Sequence, residues 1–387
     1  MDKIGKSGRL KSTESTACGR AKDTRDVTLV PSPSVDQSRS GKLSKLGNQQ
    51  SPKGQRFVPV VSSTGNPLMP TTNWRADELI KKGKALRRFK AGIFYIKLTQ
   101  REDGKVQQVA CGIDPGSKRE GFTVKSSNHT YLNILSDAVT HVKDAMKTRK
   151  MMRRSRRMRK TPCRKNKYNR SRKPFPPSTK ARWQAKLRIA AILKKLMPIS
   201  DYVVEDIKAK TKGQKNWDLS FSPLEQGKTW FYSELEQTSN VYLKQGFETF
   251  TIRNELGLEK SGNKMSESFN AHCVDSWVLA NSLVGGHTKP DNKNLLHIIP
   301  LRFYRRQLHK TQPATHGIRQ REGGTISLGF KKGSLSSHKR FGIVYLGGNT
   351  KNKISIHSIN TGKRLSQKIK TEDCDILTFN CWRVSCV

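Results

Sequence analysis

The sequence predicts a mixed α/β fold, and three observations carry that prediction. Strand-type runs follow one another closely between residues 108 and 135. Helical and strand patterns then alternate from about residue 178 to 283. The chain as a whole is too polar to be all core: of 387 residues only 34% are hydrophobic, against roughly 45–50% apolar residues, glycine included, in ordinary domains. Lys and Arg number 75 against 30 Asp and Glu, a net charge of +45. Self-repulsion of that size calls for a polyanion to offset it. No apolar run approaches the roughly 18 residues of a spanning helix, and the first residues lack a signal-peptide core. An anionic membrane is therefore set aside, and nucleic acid is the expected partner. Seven cysteines, never spaced as CxxC, argue against a disulfide framework or zinc ribbon and fit a reducing compartment.

Residues 1–54 are rich in Ser, Thr, Gly, Lys and Gln and read as a disordered basic extension. Arg56–Val61 is a short strand, Gly65–Pro70 a turn, Ala76–Arg87 a helix and Ala91–Leu98 another strand, a module too small for much of a core. Gln108–Asp114, Gly121–Lys125 and Tyr131–Leu135 form a meander with polar turns. Ser178–Met197 has helical spacing in Leu187, Ala190, Ala191 and Lys194, and Pro198 ends it. Asp201–Ile207 is a fourth strand and Glu248–Ile252 a fifth. Ser266–Leu283 is the last helix, with Ser266 as N-cap and Glu267 in the first turn. The order β-β-β-α-β-α-β-α is that of a ribonuclease H-like domain. From about His297 the chain is basic, and its Gly- and β-rich end, Thr325–Leu377, suggests a small barrel.

The segment 147–173 holds 15 Lys and Arg and no acid. Such runs are commonly solvated tails, but this one interrupts a domain and has helical order. At about 100° per residue, its basic side chains from Arg149 to Lys160 cover an arc of about 220°, while Met151, Ser155 and Met158 face the other way, towards protein. Pro162 ends the helix. Arg149, Arg153, Arg154, Arg156, Arg157, Arg159, Arg164, Arg170 and Arg172 are thus expected to grip nucleic-acid backbone, for which the guanidinium fork is suited. They position the polyanion without reading its sequence.

In so basic a chain, acids at strand ends stand out. Asp114 closes the first strand of the meander and Glu205 the fourth strand. His272 and Asp275, three apart on the last helix, share a face. In a ribonuclease H-like sheet the first and fourth strands are neighbours and the last helix crosses their ends, so three carboxylates converge. Asp114, Glu205 and Asp275 are the expected ligands of two Mg²⁺ ions, with Mn²⁺ as an alternative, in phosphodiester hydrolysis. His272 would orient or deprotonate the attacking water. Taken singly each has a plainer reading: a turn residue before Pro-Gly, an ion-paired Glu, a half-buried His.

These residues resemble the motifs of the transposon-encoded IscB/IsrB proteins. Pro67-Leu68-Met69-Pro70 resembles their PLMP motif, Gly112-Ile113-Asp114-Pro115-Gly116 the first RuvC motif, the 147–173 run the bridge helix, Val204-Glu205 the second RuvC motif and His272-Cys273-Val274-Asp275 the third. The resemblance spans about 56–387. It divides the chain into a PLMP domain (55–103), RuvC parts at 104–143, 174–210 and 248–290, a bridge helix (144–173), a spacer (211–247) and a C-terminal region (291–387). It implies a monomeric protein in a ribonucleoprotein with a guide (omega) RNA, acting on double-stranded DNA beside a target-adjacent motif, in a prokaryotic cytoplasm. Arg302, Arg305 and Arg306 would contact RNA scaffold or target-adjacent duplex. IscB carries an HNH nuclease between its second and third RuvC motifs, whereas residues 209–271 here contain no His and no Cys. The chain thus resembles the IsrB branch, which implies a nickase of the non-target strand. The spacer aromatics Trp217, Phe221, Trp230, Phe231 and Tyr232 read mainly as core. Two other functions use the same residues: a resolvase of branched DNA without RNA, and an RNA-binding protein with an inactive nuclease fold.

Overall fold

The computed structural model describes residues 56–158, 176–207, 222–302 and 322–386, with two-residue strands at 307–308, 311–312 and 317–318. From residue 56 onward these belong to one compact unit. The extension 1–54, Pro162 and the spacer residues Trp217 and Phe221 lie outside the described residues.

The N-terminal module is a four-stranded sheet in the order β2-β1-β4-β3, built from β1 (Phe57–Val61), β2 (Pro67–Thr72), β3 (Ala85–Lys90) and β4 (Ile93–Leu98), with α1 (Asn73–Lys81) crossing between β2 and β3. Two expectations are corrected here. Pro67–Pro70 is strand rather than turn; the turn lies earlier, where Ser62 Oγ accepts from the Gly65 and Asn66 amides. The helix is also shorter and starts sooner, capped by the Thr72 hydroxyl at Arg75 N, and residues 85–90 zip onto β4 as a hairpin. The module has a small core around Val58, Leu68, Phe94 and Ile96, but Phe57, Val61 and Ile93 join the main core. That sharing supplies the burial so short a module lacks.

The central sheet starts with the expected meander, β5 (Val109–Asp114), β6 (Arg119–Ser126) and β7 (Thr130–Asp137). Two helices follow, α2 (His141–Met158) and α3 (Pro177–Leu196), then β8 (Asp201–Asp206). Next come α4 (Pro223–Glu236), β9 (Asn240–Gln245), α5 (Gly246–Glu255), the short α6 (Phe269–His272), α7 (Val274–Val284) and β10 (Leu295–Pro300). The antiparallel trio β7-β6-β5 is extended by β8 and β9, each parallel to its neighbour. This 3-2-1-4-5 order is the ribonuclease H-like arrangement the element order predicts.

Side chains alternate across β5. Cys111 and Ile113 enter the core with Ile189 and Leu193 of α3 and Phe231 of α4, while Gly112 faces α7. A Cβ on Gly112 would fall 1.9 Å from the Ser276 carbonyl oxygen, so glycine is what lets α7 lie on the sheet. Trp183 and Phe231, 5.0 Å apart, knit α3 to α4, and Phe231 and Tyr232 are buried as core residues.

The fifth strand and last helix depart from expectation. The strand is β9, and residues 248–252 belong to α5, because Gln245 and Glu248 form a capping box in which Gln245 N donates to Glu248 Oε2 at 2.6 Å. The last helix is split: Cys273, at φ −111° and ψ −3°, ends α6 and begins α7, so His272 and Asp275 belong to two different helices. On α2, Met151, Met152 and Met158 are exposed rather than packed on protein.

The C-terminal part holds β11 (Leu335–His338), β12 (Gly342–Thr350), β13 (Lys353–Ser358), β14 (Arg364–Ile369), β15 (Cys374–Thr378) and β16 (Trp382–Cys386). The first five form an open sheet ordered β14-β13-β12-β11-β15 rather than a closed barrel. The last strand leaves it: β10 runs parallel to β7 and β16 pairs antiparallel with β10, extending the central sheet to seven strands. Among the described residues no helix is long and apolar enough to cross a membrane.

Candidate functional site

The parallel register of β5 and β8 pairs Ile113 with Val204. Asp114, the last residue of β5, and Glu205, the last but one of β8, each one residue further on, therefore sit side by side at the same level. Asp275, second residue of α7, is carried to them by the helix that Gly112 admits. Ligand oxygens of Asp114, Glu205 and Asp275 lie within 4.8 Å of one another, and among the described residues this is the one such cluster of acids, His or Cys.

The electrostatics of the cluster are those of crowded like charges. Burial first, and then the charge of Glu205, hold the Asp114 carboxyl well above the usual carboxylate range. Burial is also the main cause that raises Glu205, with the charge of Asp275 adding to it against the bond to Asp114. Two cations stand by. Arg253 Nη1 donates to Asp275 Oδ1 at 2.6 Å, and Lys260 Nζ donates to Asp275 Oδ2. Burial works to lower the Lys260 pKa, but Asp114 and Asp275 outweigh it and raise it. Sequence reasoning misses both bases. Arg253 falls just beyond a segment whose pattern reads as strand, and Lys260 has no spacing to any motif.

A trio of carboxylates that repel one another, Asp275 buried and Asp114 and Glu205 half-buried, is a donor set suited to a hard divalent cation, which takes oxygen ligands and keeps waters. His272 lies outside the trio. Its Nε2 is buried without a hydrogen-bond partner, and burial, with the nearby Arg119 charge, lowers its pKa. Its backbone sits at the same end of the sheet, since a Cβ on Gly121, the partner of Asp114 in β6, would meet the His272 carbonyl oxygen at 2.2 Å.

Arg149, Arg153, Arg154 and Arg157 are exposed along α2. Arg156 lies on the same helix, and Arg302 is exposed just after β10. Arg159, Arg164, Arg170, Arg172, Arg305 and Arg306 lie outside the described residues.

Residues 58–227 match the family model described as RRXRR protein. The run Arg153-Arg154-Ser155-Arg156-Arg157 spells that pattern, on the exposed α2. The RRXRR match takes in Asp114 and Glu205 and stops before Asp275. No curated protein matches the chain. Solved structures similar to it include the Thermus thermophilus RuvC in complex with Holliday junction substrate, at 12% identity and a TM-score of 0.24, covering 46% of this chain and 98% of that one. Another is the yeast mitochondrial Holliday junction resolvase, at 12% identity and a TM-score of 0.26, covering 47% of this chain and 80% of that one.

Proposed function

We propose that the chain is a metal-dependent, RNA-guided DNA endonuclease that nicks the non-target strand with one RuvC-type site. The observation that carries the nuclease reading is the convergence of Asp114, Glu205 and Asp275 from two parallel strand ends and a helix start. Asp114, Glu205 and Asp275 would hold Mg²⁺, or Mn²⁺ in its place, which when bound supplies Lewis-acid activation of water and charge stabilisation at the phosphate.

The remaining chemistry belongs to the chain's own groups. His272, whose pKa burial and the nearby Arg119 charge lower, would orient or deprotonate the attacking water. Arg253 fixes the rotamer of Asp275 through Oδ1. Lys260 offsets the carboxylate charge of the trio before any cation enters.

The guided reading is supported by two features. One is the arginine helix set within the nuclease fold, which grips a polyanion but selects no sequence and so leaves selection to base pairing. The other is the resemblance to IsrB, with a spacer that lacks the histidines an HNH site needs. The partners are accordingly a guide RNA and a target duplex with its adjacent motif.

The test is to express the full chain with its flanking locus and sequence the RNA that co-purifies. One discrete structured RNA, retained when Asp114 is changed to Ala, is the expected result. Cleavage of branched DNA by RNA-free protein would replace this reading with that of a resolvase.

A further inference from the structure

We infer that Phe247 and Phe250 form a stacking platform for the unpaired bases of the DNA strand entering the carboxylate site; this rests on the nuclease reading and names how that site holds its substrate. β9 runs parallel to β8 with Lys244 beside Glu205, so α5 begins at the lip of the site. A Cβ on Gly246 would lie 2.8 Å from Glu205 Oε1, and Phe247 is the next residue.

The helix divides its faces clearly. Thr249 is buried, and Ile252 and Leu256 pack on the cluster of Val274 and Trp277, which is the face α5 needs for folding. Phe247 and Phe250 project elsewhere, with 71% and 54% of their surfaces exposed. Two exposed phenylalanines one helical turn apart, at the lip of the carboxylate site, make an apolar patch of the kind that marks an interaction surface.

Their surroundings name the ligand. Three residues apart, the rings are neighbours on the helix, and the next residue in that row is Arg253. Its guanidinium lies 5.2 Å from the Phe250 ring centroid and also binds Asp275. The row thus runs from the Glu205 side of the trio to the Asp275 side, ending in a cation. Aromatic faces beside positive charge, in a chain of +45, match single-stranded nucleic acid, whose bases stack and whose phosphates pair. A duplex keeps its bases stacked on each other and offers the rings nothing.

The experiment compares wild-type protein with Phe247→Ala, Phe250→Ala and the double variant, using a single-stranded DNA oligonucleotide carrying 2-aminopurine and a duplex of the same sequence. Each alanine is expected to weaken single-strand binding about tenfold, to abolish the fluorescence change of stacking, and to leave both duplex affinity and the salt slope unchanged. Phe247→Trp and Phe250→Trp should restore binding. Unchanged single-strand affinity, or an equal loss on duplex, overturns the platform. Loaded with its guide RNA, the double variant should nick matched target with a raised KM, and normal nicking would overturn the platform while leaving the nuclease standing. A wild-type protein that cuts nothing, yet loses single-strand binding on both substitutions, would sink the nuclease reading and keep the platform.

Discussion

Gly246 lies against Glu205 so closely that a Cβ there would fall 2.8 Å from Oε1. The atom it would displace is the free end of a side chain, and α5 itself accepts alanine well. Gly246→Ala should therefore leave the thermal midpoint nearly unchanged while pushing the Glu205 carboxylate out of the trio. The expected outcome is a loss of Mg²⁺ binding in calorimetry of at least tenfold. Gly112→Ala is the contrast: its Cβ would meet backbone of α7 at 1.9 Å, and overpacking of that kind costs about 1–3 kcal/mol or more. Comparable unfolding midpoints for the two variants would contradict this account.

The trio also predicts an active-site substitution that stabilises. Asp114 and Glu205 have raised pKa values in the folded chain, so above the unfolded carboxylate range the folded state holds protons that the unfolded state has released. Stability attributable to these groups therefore falls as pH rises from that range through the folded pKa values, and the loss is complete above them. Without metal, Asp114→Asn should raise the melting temperature at neutral pH, with the gain shrinking towards about pH 4. Added Mg²⁺ should raise the wild-type midpoint and leave the variant's nearly unmoved. A metal-free variant less stable than wild type at neutral pH would count against the crowding.

Lys186 Nζ donates to Glu120 Oε1 at 2.5 Å, both side chains almost wholly buried, and joins α3 to β6. The Trp183 ring centroid lies 4.6 Å from the same ammonium. Lys186→Ala strands a buried carboxylate and should cost about 3–5 kcal/mol in urea denaturation, whereas Lys186→Met combined with Glu120→Gln should cost far less. Equal losses in the two variants would show that the pair is not what holds α3 to the sheet.

Arg153, Arg154 and Arg157 project from α2 into solvent. Changing all three to Gln should lower the slope of log affinity for RNA against log salt by about 2. Filter binding between low and moderate salt checks this, and an unchanged slope would remove α2 from the nucleic-acid surface.

The sheet was legible in the sequence because its central strands are short apolar bursts, and Asp114 and Glu205 stood out because each ends such a burst in a basic chain. The fifth strand was not, because β9 is an edge strand with Tyr242 and Leu243 in solvent and no buried face to impose alternation. The alternating Thr and Phe residues that follow imitate a strand, and only the Gln245–Glu248 cap makes them helix. Arg253 and Lys260 reach Asp275 from 22 and 15 residues away, and no local spacing encodes such pairs. The break at Cys273 was equally hidden, since His272 and Asp275 read as one helical turn. The pairing of Leu296 with Cys386, which returns the chain's end to the central sheet, has no sequence signal at all.

The measurement that bears most directly on the central claim is strand-resolved cleavage of a duplex matching the guide, by wild-type complex and by its Asp114→Asn variant, in Mg²⁺ and in EDTA. The expected result is a single Mg²⁺-dependent nick in the displaced strand by the wild type alone, with both complexes binding the target equally. Cleavage that persists in the variant or in EDTA, or breaks in both strands, would contradict it.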